Sequence, residues 1–118
     1  MDLTSTLPFI AGLVIITFMA TVMAPQMKSG KLQRNSAIGI KTRHTQSSDQ
    51  AWEQGHLRAA PWVQSASWTG WTLLIAVTIL CLVDRVAMAF GITALGYVLC
   101  IGLLLISGRQ ANIAAKQH

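Results

Sequence analysis

Residues 59–83 read A-A-P-W-V-Q-S-A-S-W-T-G-W-T-L-L-I-A-V-T-I-L-C-L-V, without a single Asp, Glu, Lys or Arg. An α-helix needs roughly 20 predominantly apolar residues to cross the hydrocarbon core of a bilayer, and this stretch exceeds that. Working outward, residues 86–108 beyond it and residues 3–27 before it are equally free of charge. A surface helix of a soluble protein carries a polar face along its length; these three stretches have none. The 118-residue chain is 53% hydrophobic and only 11% charged, against about 25% charged in soluble domains. The fold class that follows is an all-α membrane protein. It forms a single three-helix domain over residues 1–118, with transmembrane helices at about 7–24, 62–83 and 86–107 and a polar loop at about 26–60.

Local signals refine this. Pro8 suits the first turn of helix one, and Pro25 marks its exit. The start, Met1-Asp2-Leu3, is acidic where a signal peptide is basic, so the first stretch reads as a retained helix. Asp84-Arg85 is the tight turn between helices two and three. Ala66/Gly70 and Ala87/Gly91 are small-residue pairs that permit close helix contact. Trp62, Trp68 and Trp71 suggest an aromatic cluster near the loop side. The tail from Arg109 to His118 is polar and expected to fray. Cys81 and Cys100 differ in depth by roughly 15–20 Å, too far for a disulfide.

The net charge of +5 is distributed asymmetrically. Lys28, Lys31, Arg34, Lys41, Arg43 and Arg58 lie between helices one and two, and Arg109 and Lys116 follow helix three. Only Arg85 stands on the opposite side. The positive-inside rule then places the loop and the C-terminus in the cytoplasm and the N-terminus outside, in a bacterial inner membrane. The same rule accounts for the basic loop without nucleic acid, which is not an expected partner; the lipid bilayer is.

Within the loop, Ser47 or Ser48 can cap a short helix over residues 48–58, with Gln50 answering Ser47 and with Asp49 and Glu53 in the early turns. Trp52 and His56 share one face of it, as do Ala51, Gly55 and Ala59. This reads as an interfacial helix at the membrane surface, with Trp52 facing lipid or the bundle. Glu53 and His56, three apart, are read as ordinary surface polar residues rather than an acid–base pair. No transmembrane stretch holds an ionisable residue near its middle, where ion and proton pathways usually carry one. No His or Cys spacing supports a metal site, and no catalytic or phosphate-binding motif occurs. No enzyme activity and no cofactor are expected.

Asn35, Gly39, Ile40, Lys41, Thr42, Thr45, Ser48, Trp52 and His56 form a pattern that resembles the SdpI family of small bacterial integral membrane proteins. It sits where that family carries it, between the first and second of three helices. Two departures stand out: Lys41 replaces the family's usual Arg, a point charge instead of a planar fork, and the family's namesake has further helices ahead of this unit. The resemblance implies a non-enzymatic role in immunity or signalling, acting by binding a regulatory protein or another membrane protein through these nine positions. The alternative is a small accessory subunit of a larger membrane complex. Lys41 and His56, needed for neither turn nor cap, are the expected contact residues.

Overall fold

A computed structural model describes residues 2–30, 32–34 and 38–117. Among them are three long helices, α1 (Leu3–Ser29), α2 (Asp49–Leu82) and α3 (Val86–Ala115), and one 3₁₀ turn at Thr45–Ser47. The bundle measures 52 × 20 × 19 Å. All three helices are long and apolar enough to cross a membrane, and the protein is a multi-pass membrane protein.

α1 starts at Asp2, whose carboxylate accepts the Ser5 N–H at 2.7 Å. It does not stop at Pro25, as the sequence suggested. Proline inside a membrane helix loses one backbone bond but is tolerated where packing compensates, and here Met27 beyond it is buried. The helix ends at Gly30, which takes a left-handed φ of 74° and returns its N–H to the Gln26 carbonyl.

α2 differs most from expectation. Residues 49–58 are helical and Ser48 caps them, its hydroxyl accepting the Ala51 N–H at 3.0 Å. They are not a separate interfacial helix, because the helix runs unbroken through Pro61 to Leu82. Ala51, Gly55, Ala59, Val63, Ala66, Gly70, Leu74 and Val77 are all buried. Steps of three and four keep them on one face, and that inward stripe continues across the proline. Residues 59–82 are the charge-free span; residues 49–58 extend past it on the loop side.

The α2–α3 turn is a Schellman closure. Asp84 adopts φ 60°, tolerable for Asp, while Arg85 N–H reaches the Leu80 carbonyl at 2.8 Å. α3 then buries Ala89, Thr93, Gly96, Cys100, Ser107, Ala111 and Ala115. The tail is therefore helical and packed through Ala115, not frayed, because the stripe of small residues continues beyond Gly108. The Ala87/Gly91 pair faces outward instead, with open space around Gly91. Both cysteines are free.

Packing is inverted relative to a soluble core. Large apolar side chains such as Ile75, Leu82, Val98 and Leu105 point outward. Thr17, Ser67, Thr93 and Ser107 are buried, and Thr17, Thr93 and Ser107 bond carbonyls of their own helices. Small residues permit the close approach: a Cβ on Gly70 would collide with Thr17, and one on Gly96 with Leu13. Among the described residues Trp62, Trp68 and Trp71 make no ring contact with one another. Trp68 lies exposed to the surroundings, and the Trp71 indole donates to the Thr21 hydroxyl at 2.8 Å, which also meets Ser67 at 2.6 Å.

Candidate functional site

The first two turns of α2 position Trp52 and His56 one above the other, with ring centroids 4.2 Å apart. Each is only 2% exposed. The Trp52 indole N–H donates to the Leu32 carbonyl at 2.9 Å, which ties the chain leaving α1 onto α2. Trp52 thus faces the protein interior.

Gly39 crosses over this pair. Its φ is 129°, and a Cβ there would lie 2.8 Å from the indole and 3.0 Å from His56 Nε2. Both conformation and space demand glycine. The next residue, Ile40, donates its N–H to His56 Nε2 at 2.9 Å. Nε2 must therefore carry a lone pair, which puts the imidazole proton on Nδ1, 2.7 Å from the Trp52 carbonyl. Burial pushes the imidazole below the ordinary histidine range, against the upward pull of that carbonyl bond. His56 is a neutral, internal clamp and not a surface group.

A second knot lies beside it. Thr45 is fully buried; its hydroxyl donates to the Ile40 carbonyl at 2.7 Å and accepts the Thr42 N–H at 2.9 Å. Thr45 N–H returns to the Thr42 hydroxyl at 3.1 Å, which donates to Asn112 Oδ1 on α3 at 2.8 Å. A Cβ on Gly55 would lie 2.9 Å from the Ala111 carbonyl, so glycine lets α2 and α3 close here. Arg58 donates to the Gln110 side chain at 3.1 Å.

Seven of the nine sequence-predicted positions are thus brought together: Gly39, Ile40, Thr42, Thr45, Ser48, Trp52 and His56. Lys41 points away and is exposed. Asn35 lies outside the described residues. Sequence reasoning missed Asn112 and the Leu32 carbonyl. Asn112 was legible in principle, since Ala111 and Ala115 continue the spacing that Ser107 ends; the Leu32 carbonyl has no side-chain signal.

Among the described residues no buried side-chain nitrogen or oxygen lacks a partner, and the only ion pair is Arg34–Asp49 at 3.1 Å. The exposed cations are a different matter. Lys41 and Arg43 flank Thr42, and Arg109 and Lys116 stand about one turn either side of Asn112 on its own face of α3. All four are exposed. Thr42 and Asn112 each stand between two exposed cations, none of which makes an ion pair among the described residues.

A family model, described as the SdpI/YfhL protein family, matches residues 31–108. The chain belongs to the SdpI/YfhL family. No curated protein and no solved structure matches it. The family match covers the whole loop motif, all of α2 and most of α3, and ends before Ala111 and Asn112.

Proposed function

We propose that this SdpI/YfhL-family chain is a non-enzymatic membrane protein of the immunity or signalling type, which binds an acidic partner protein through the outer face of its loop. The observation that carries this reading is the division of labour within the motif. Seven positions pack together and build a rigid base, and Lys41 is held outward beside Arg43 with no carboxylate partner among the described residues. Groups already committed to fixed hydrogen bonds are poor acids, bases or nucleophiles, because catalysis needs a group within reach of a substrate proton. Loops positioned by a rigid scaffold are, by contrast, where binding residues concentrate. The eight-to-one Lys/Arg asymmetry supports a cytoplasmic loop and C-terminus and an outside N-terminus in a bacterial inner membrane.

The test is co-purification in mild detergent followed by mass spectrometry. Lys41→Ala should insert and accumulate like the parent and lose its partner, or lose protection against a secreted peptide in cells. A partner retained at full stoichiometry by Lys41→Ala and by Lys41→Ala/Arg43→Ala would refute binding through this face. The accessory-subunit reading draws on one observation, the outward Ala87/Gly91 pair with open space around Gly91. It predicts instead a stoichiometric set of larger membrane subunits, released by Gly91→Leu and not by Lys41→Ala.

A further inference from the structure

Just beyond the loop, α1 and α2 part to leave a groove of about 630 Å³ with a chiefly apolar lining. Pro25 of α1 and Pro61 of α2 both line it, with the buried Ala24 and Ala60 at its back. Its α2 wall extends from Leu57 to Trp68, roughly 16 Å at the helical rise of 1.5 Å per residue. That is about half of the 30 Å hydrocarbon thickness, the depth of one leaflet. Lys28 stands at the loop end. It is the first charge after the apolar stretch of α1, so it lies at headgroup level, and it has no ion pair among the described residues. Deeper in the wall, Gln64 is half-buried and engages no side-chain hydrogen bond within the described residues. At the far end Trp68 is 67% exposed.

We propose that this groove holds one anionic phospholipid, with its phosphate on Lys28, its ester region beside Pro25 and Pro61 and an acyl chain running past Gln64 to Trp68. Three features select a lipid over a peptide. The groove begins at a lone cation, turns apolar within two helical turns and ends at one leaflet's depth. A zwitterionic lipid fits the apolar part equally well but leaves Lys28 without net countercharge, so the anionic headgroup is the specific claim.

The test is native mass spectrometry of the full chain in detergent doped with equal amounts of phosphatidylglycerol and phosphatidylcholine of identical acyl chains. One retained lipid per chain is expected, with phosphatidylglycerol preferred about fivefold, the worth of one lysine at a membrane surface. Lys28→Gln should bring that ratio close to one while a lipid is still retained. Lys116→Gln, which removes a cation from α3, should leave the ratio unchanged. Gln64→Trp, which fills the wall, should abolish retention of both lipids, with helix content and thermal midpoint matching the parent. Should that variant misfold, Leu57→Trp at the rim must show the same loss. Equal retention of the two lipids by the parent, or full retention by a folded wall-filling variant, overturns the site. So does a second protein copy retained in place of lipid.

Discussion

His56 commits both ring nitrogens to backbone groups, and this makes it the most consequential side chain of the loop. Replacing it with Ala strands the Ile40 N–H, at a cost of roughly 1–3 kcal/mol for an unsatisfied buried group. A lower thermal midpoint in detergent and faster proteolysis near Gly39 are the expected readouts. The pH dependence has a definite sign. Burial lowers the imidazole's affinity for a proton in the folded state, so the unfolded chain binds protons more readily. Stability is therefore fully present above about 6.5, the ordinary histidine value. It is lost as pH falls below that, through the depressed folded value. A midpoint measured from pH 7.5 to 5 should fall in the parent and fall less in His56→Ala; a midpoint rising on acidification would contradict the neutral clamp. Lys41 is the opposite case: exposed, so Lys41→Ala should change stability by less than about 0.5 kcal/mol. The sequence grouped these two as contact residues because neither suits a turn or a cap. Burial separates them, and burial comes from Gly39 folding back over the ring, a long-range contact that no local pattern encodes.

At the scale of elements, the limits of the three spans were visible as charge-free runs, but where the helices ended was not. Pro25, Pro61 and Gly108 all read as boundaries by local rules, and the helices pass through each one. The signal that overrides them is the inward stripe, whose Ala51, Gly55 and Ala59 members were noticed without being joined to Val63 and Ala66 across Pro61. If α2 is continuous for this packing reason, Pro61→Ala should leave helix content unchanged and raise the thermal midpoint, because it restores an N–H to the Leu57 carbonyl. A drop in helix content would argue that the proline is required. The end of α3 offers a sharper test through Thr42 and Asn112. In a double-mutant cycle, Thr42→Val and Asn112→Ala should couple by about 1 kcal/mol. Removing residues 110–118 should expose the loop to protease. Strict additivity with an unchanged cleavage pattern would mean that α3 does not hold the loop.

For the whole molecule, charge alone marked the three spans, because the bilayer forbids unpaired charge at its centre and leaves long silent stretches in the sequence. The orientation can be checked directly in a variant lacking Cys81 and Cys100. A cysteine placed at Asp84 should react with an impermeant reagent added outside intact cells, and one at Ser29 should not. The reverse pattern would invert the assignment. Helix pairing was less legible. Of the two small-residue pairs, Gly70 of the first meets Thr17 and Gly91 of the second faces open space, and their spacing alone does not distinguish them.

The unbroken course of α2 from the Ser48 cap to Leu82 also has a mechanical meaning. With no hinge between the loop and the Asp84 turn, the helix is a stiff shaft about 50 Å long, gripped by Trp52 and His56 at one end and by the Schellman closure at the other. Because the loop knot and the Asp84 turn terminate one and the same helix, a tilt imposed at either end is a tilt at the other.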